Sequence, residues 1–229
     1  MTVTILKAAA KIALPLAFAA FTLPAFGMPV DFTTTGMFTC GVSSVGCTTS
    51  AGGTHLTVTN DGQTLNIVAV GTTNLNVFPG DTNLDVNGNP LDDVNVITFD
   101  TTSTNHPAPA DGVNTSGITF TLNIDQTSPG PYAGSLAGSF SGFIDAKGSN
   151  TVINFAPNQT SLTLGGHVIY TLDFLFTGTD QWTIPNPGIN TTGVTTETAT
   201  VTPEPAFMTL TGLGFAGLAF VAYRRRRTV

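Results

Sequence analysis

The chain has 229 residues, a formal net charge of −7 at neutral pH, and only 9% charged side chains against 41% hydrophobic ones. Its basic residues Lys7, Lys11 and Arg224–Arg227 lie at the two ends, so residues 28–202 carry thirteen carboxylates against Lys147, a net of −12. A surface this acidic repels nucleic acid and anionic headgroups, which excludes a nucleic-acid function, and it would need bridging cations to bind an acidic polysaccharide.

Residues 1–27 read as a secretory signal peptide. Lys7 and Lys11 supply the positive region, and Ile12 to Phe21 form the apolar core, interrupted by Pro15. Ala25 and Gly27 are small residues placed for cleavage before Met28. The apolar run is short for a membrane anchor, so the expectation is export. Cys40 and Cys47 are the two cysteines of the chain. In an exported protein such a pair is expected to form a disulfide closing a short loop. The chain-entropy account gives about 2.5 kcal/mol for a loop of this size. Two cysteines with no histidine beside them are too few for a tetrahedral zinc site.

Thirty-five of residues 28–202 are threonine, with Asn, Gly and Ser filling much of the rest. Threonine is β-branched and favours strands, whereas Gly and Asn mark turns. Alternation predicts strands over His55–Thr59, Thr64–Val70, Asn74–Phe78, Val94–Asp100, Ser135–Phe143 and Thr151–Phe155. It is clearest where Ile118, Phe120, Leu122 and Ile124 face one way and Thr119, Thr121 and Asn123 the other. Val168, Tyr170, Leu172, Phe174 and Phe176 share a second face, and apolar residues on much of the opposite face place that strand inside a sheet. Turn signals such as Asn60-Asp61-Gly62, Asn87-Gly88 and Pro129-Gly130-Pro131 separate these stretches, and no helical period is sustained. The expected fold is all-β: one β-sandwich or jelly-roll-like domain over residues 28–184.

Between the third and fourth of these strands lies the densest cluster of oxygen ligands, Asp81 to Asp93. Asn83, Asp85 and Asn87 occupy alternate positions before Gly88, as in calcium loops. Val94 stands where the bidentate Glu would be, and no helix flanks the loop, so a metal-free acidic turn explains the same residues. Calcium is the one cofactor this sequence points to.

Catalytic constellations are thin, and the chain does not read as an enzyme. His55, His106 and His167 lie on different segments. Gly138-Ser139-Phe140-Ser141-Gly142 has Phe at its centre and fails the G-x-S-x-G pattern, so its small residues are expected to pack against a neighbouring strand. With twelve aspartates, no one carboxylate pair stands out for sugar hydrolysis. Asp173, in the most apolar strand, is read as outward-facing. For a carbohydrate platform the aromatic candidates are Trp182 and Tyr132, since Tyr170 falls on the core face. Thr-x-Thr pairs occur at Thr57/Thr59, Thr119/Thr121, Thr177/Thr179 and Thr198/Thr200, at intervals too irregular in sequence for a flat ice-binding face.

Residues 185–202 are polar and Thr-rich, either a spacer or a last strand. After them come Pro203-Glu204-Pro205, seventeen uncharged residues Phe207–Tyr223, and Arg224-Arg225-Arg226-Arg227. As a helix the apolar stretch reaches about 25 Å, at the short end of a bilayer span. The arginines orient it with the cytoplasm on their side, leaving residues before Pro203 outside.

The tripeptide, the Gly-rich apolar stretch and the arginine cluster, in this order, closely resemble the PEP-CTERM sorting signal of exopolysaccharide-producing Gram-negative bacteria. The resemblance covers residues 203–229 and implies a membrane-embedded exosortase that recognises Pro203, Glu204 and Pro205, cuts nearby, and releases the protein to the surface or matrix. The expected function is that of an exported surface protein, structural or adhesive in the exopolysaccharide matrix. The alternatives are a carbohydrate-binding module on the same scaffold and, behind it, a secreted hydrolase. The expected partners are the exosortase-type enzyme, matrix polysaccharide, and the membrane before processing.

Overall fold

A computed structural model of the chain describes residues 29–42, 44, 46–60, 63–78, 93–104, 113–144, 151–165, 168–174, 180–184, 192–203, 212, 214–219 and 223. Fifteen strands are found among them. The first half of the chain supplies β1 (Val30–Cys40), β2 (Cys47–Ser50), β3 (His55–Asn60), β4 (Gln63–Gly71), β5 (Thr73–Val77), β6 (Asp93–Thr104) and β7 (Val113–Asn114). The second half supplies β8 (Ile118–Ser128), β9 (Tyr132–Ser141), β10 (Phe143–Ile144), β11 (Val152–Phe155), β12 (Ser161–Leu164), β13 (Val168–Leu172), β14 (Gln181–Thr183) and β15 (Thr192–Pro203). Single 3-10 turns at Ala51–Gly53 and Pro157–Gln159 interrupt them.

Among the described residues the strands form a six-stranded sheet, β14-β11-β9-β8-β1-β5, and a seven-stranded sheet, β12-β13-β15-β6-β4-β3-β2. A short ribbon pairs β10 with β7. Every described pairing is antiparallel. The protein is therefore all-β, with two curled antiparallel sheets consistent with a β-sandwich.

Alternation along the strands builds the core. Ile118, Phe120, Leu122 and Ile124 of β8 are fully buried, while Thr119 and Asp125 are exposed. Leu65 and Ile67 of β4 and Ile97 and Phe99 of β6 bury the matching face of the second sheet. Where β1 crosses over β4, only glycine fits: a Cβ on Gly36 would lie 2.7 Å from Phe120 Cε2 and 2.8 Å from the Ala69 methyl. Thr34, one turn of the pleat earlier, is buried but bonded. Its backbone N–H donates to Thr72 O (2.9 Å), its hydroxyl accepts from Thr72 N–H (3.0 Å), and the same hydroxyl donates to Val96 O. Buried polar groups persist in cores when satisfied in this way.

The expected disulfide is present. Cys40 at the end of β1 is bonded to Cys47 at the start of β2, with Cα atoms 5.8 Å apart. Because β1 belongs to the six-stranded sheet and β2 to the seven-stranded one, the bond ties the two sheets together at that end.

The Thr-rich stretch contains a strand. From Thr192 to Thr200, β15 pairs with β6, and on its other side it adjoins β13, so it lies inside the seven-stranded sheet. Ala199 and Val201 are fully buried. Residues 185–191 lie outside the described residues. Strand β13 also has neighbours on both sides, in keeping with its apolar sequence, although it ends at Leu172.

The chain divides into two units, Met28–Thr202 and the terminal stretches Met1–Gly27 with Pro203–Val229. The expected signal peptide lies outside the described residues. Of the expected membrane segment, residues 212, 214–219 and 223 are described, and they are helical. Among the described residues no helix is long and apolar enough to cross a membrane.

Candidate functional site

Of the two residues expected to bind a sugar, Trp182 lies in β14 and Tyr132 at the start of β9. Trp182, expected as a sugar platform, is instead a centre of the core. It is 1% exposed, and four rings surround it: Phe155 at 4.8 Å between centroids, Phe99 and Phe120 at 6.3 Å, and Phe174 at 6.4 Å. Its indole N–H donates to Asp173 O (3.1 Å), which satisfies the one polar atom. Short strand β14, held against β11, sets this position, with Ile153 opposite Trp182 in register. A ring packed on these sides offers no face to a ligand, so the platform role is withdrawn.

Tyr132, at the start of β9, is 46% exposed. A Cβ on Gly165 would be almost equidistant from Cδ1, Cε1 and Cζ of Tyr132, which places that glycine under the face of the ring, not at its rim. The ring thus rests on the chain just after β12, and Gln126 reinforces the spot. Its amide donates to Gly165 O (3.0 Å), and its carbonyl accepts from the Tyr170 hydroxyl (2.9 Å). Burial raises the Tyr170 phenol well above its ordinary value, so it stays a donor.

Gly138, in the stretch that imitates a nucleophile elbow, packs as expected against a neighbour: a Cβ there would lie 2.5 Å from Ile153 Cγ2 on β11. Asn83, Asp85 and Asn87 lie outside the described residues. Among the described residues no three His, Cys, Asp or Glu side chains gather as an ion would require. Pro203 is the last residue of β15, while Glu204, Pro205 and Arg224–Arg227 lie outside the described residues.

What sequence reading missed is a surface. On the outer face of the seven-stranded sheet, register aligns Thr48, Thr57, Asn66, Thr102 and Thr192 in one rank across β2, β3, β4, β6 and β15. The next rank holds Ser50, His55, Val68, Asp100 and Val194. Beyond it, Val70, Thr98 and Thr196 form a third. Rank members lie about 4.8 Å apart between strands, and ranks about 6.7 Å apart along them. Side-chain bonds tie neighbours together: Thr57 donates to Asn66 Oδ1 at 2.8 Å, the Thr98 and Thr196 hydroxyls meet at 3.0 Å, and those of Thr59 and Thr64 at 3.2 Å. Val194 is 63% exposed among them.

Further along β15 the same face carries a carboxylate pair. Asp93 Oδ1 and Asp173 Oδ1 both contact the Thr200 hydroxyl, at 2.8 and 2.9 Å. A hydroxyl has a single hydrogen, so it donates to one of them at a time. Glu197 faces the other way. It pairs with buried Ile97 where the β15–β6 register shifts, and burial pushes its carboxyl up to about 7, against a weaker lowering by the Thr195 hydroxyl.

The outer face therefore offers uncharged hydroxyls and amides, methyl groups, the His55 imidazole and three carboxylates, with no lysine or arginine on any strand of the sheet. Family models, curated proteins and solved structures were all compared with the chain, and none matches it.

Proposed function

We propose that this chain is an exported protein of the cell surface or extracellular matrix of a Gram-negative bacterium, sorted by an exosortase-type system and structural or adhesive within the exopolysaccharide matrix. In this reading residues 1–27 are a signal peptide and Phe207–Tyr223 a membrane helix held until processing. The two sheets are the layers of a single jelly-roll-like sandwich between them. The observation that carries the proposal is the order Pro203-Glu204-Pro205, uncharged stretch, four arginines. The all-β domain supports it, because its disulfide suits an oxidising compartment and its acidic, hydroxyl-lined exterior suits a hydrated polymer.

A carbohydrate-binding module is the second reading. Its specific support is Tyr132, exposed and held against Gly165, although Trp182 no longer belongs to it.

The test is a fractionation blot in the native host with an epitope placed before Pro185. The parent should appear at the surface in a shortened form, while Glu204→Ala accumulates as a full-length, membrane-bound precursor. A parent that stays full-length in the inner membrane ends the sorting proposal.

A further inference from the structure

We infer that the outer face of the seven-stranded sheet binds an extended amine-bearing polysaccharide, a polymer of partly deacetylated amino sugars. The inference deepens the matrix reading and rests on it only for the place where such a polymer would be met.

Charge selects the partner. Asp100 stands exposed in the middle of the face, and Asp93 and Asp173 converge on Thr200 near its end. Residues 28–202 hold one lysine and no arginine to neutralise them, and the basic side chain on this face is the imidazole of His55, two strands from Asp100. A polyanion is repelled by such a surface and a neutral polymer gains no Coulomb attraction, whereas ammonium groups along a chain are drawn to it. The hydroxyl rank then supplies the rest of the contact. Thr48, Thr57, Asn66, Thr102 and Thr192 span about 19 Å across five strands, an extended path of donors and acceptors for sugar hydroxyls. Methyl groups of the threonines, and of Val68, Val70 and Val194 beside them, meet the C–H faces of sugar rings.

The outer face of the six-stranded sheet differs. There the Asp31 carboxylate accepts from the Asn76 backbone N–H (2.7 Å), and the residues opposite one another include Met37, Thr121 and Ala137. Exposed Asp125 on that sheet is thus a matched control for Asp100.

The experiment is retention of the full-length protein, in neutral detergent, on chitosan and on dextran beads at mildly acidic pH, with Asp100→Lys, Asp100→Asn and Asp125→Lys compared. Melting curves verify that each variant folds. The parent should be held by chitosan and not by dextran, and added salt should weaken the binding. Asp100→Lys should lower the apparent affinity roughly ten-fold and Asp100→Asn about three-fold, with Asp125→Lys within about two-fold of the parent. Equal losses in the two lysine variants would mean attraction by the whole domain and would overturn the assignment of the face. Equal retention on dextran, or none on chitosan, would overturn the amine-bearing partner. No exosortase enters this assay, so its failure is read separately from the fractionation blot.

Discussion

The two faces of the seven-stranded sheet are made by the same strands and differ most over β3 and β4, less over β6 and β15, where Thr101, Ser103, Thr195 and Glu197 lie on the inner side. On the inner side Leu56 and Val58 of β3, Leu65 and Ile67 of β4, and Phe99 of β6 are at most 1% exposed. Their immediate neighbours in sequence, Thr57, Thr59, Thr64, Asn66 and Thr98, make the hydroxyl ranks. Threonine suits this division because it keeps strand propensity while adding neither charge nor a large apolar surface. The contrast teaches that side-chain chemistry here follows parity along the strand, and that position along the strand also counts: Tyr132 shares the parity of buried Leu136 and Phe140 and stands opposite buried Gln126, yet at the first position of β9 it is exposed, whereas Trp182 is enclosed.

The largest expected effect tests that last pair. Trp182→Ala should cost roughly 3–5 kcal/mol, because it empties the space between four phenylalanine rings. Tyr132→Ala should cost less than about 1 kcal/mol, as for a surface truncation. Urea unfolding measures both, and comparable losses would break the comparison.

Glu197 is the inner face's carboxylate among the described residues, and it gives a pH-dependent prediction of intermediate size. Its ordinary value of 4.5 is raised to about 7 in the folded chain, so the folded state holds this proton at a pH where the unfolded state has lost it. The associated stability is fully present below about pH 4.5 and is lost as pH rises through 7. Glu197→Gln, which cannot ionise, should melt roughly 3 °C higher than the parent at pH 8 and at nearly the same temperature at pH 4. A difference that is constant across this range would show that the carboxyl is solvated.

The smallest effect sharpens the outer face. Thr98→Val keeps shape and strand preference while deleting the hydroxyl that meets Thr196. Stability should change by less than about 0.5 kcal/mol, since water replaces the lost partner. A larger loss in urea unfolding would mean that the ranks hold the sheet together.

Much of the fold was readable from alternation. Ile118 to Ile124 and Val168 to Leu172 show period two plainly, and both are strands with the expected faces buried. Strand β1 escaped because its inward positions include Thr34 and Gly36, which interrupt the apolar period. For β15 the difficulty was similar. Its inner positions before the register shift are Gly193, Thr195 and Glu197, opposite Thr101, Phe99 and Ile97, so threonine and polar residues fall on both faces. Trp182 gave no warning of burial because Gln181 and Thr183 flank it in a strand of three residues. The hydroxyl face was not readable at all as a unit. Its members come from five strands, and counting Thr-x-Thr intervals along the chain examines the wrong direction. The relevant spacing runs across the sheet and exists only once register is set.

The last strand also fixes a length. Thr200 is still in register with Asp93, and β15 continues to Pro203. Four residues from Thr200 to Glu204 can extend at most about 14 Å. Any enzyme that grips Glu204 must therefore work within that reach of a sheet's interior strand, with no slack to pull out. A stop codon in place of Ala199 would take Ala199 and Val201 from the core and leave β15 paired with β6 only from Thr192 to Thr198.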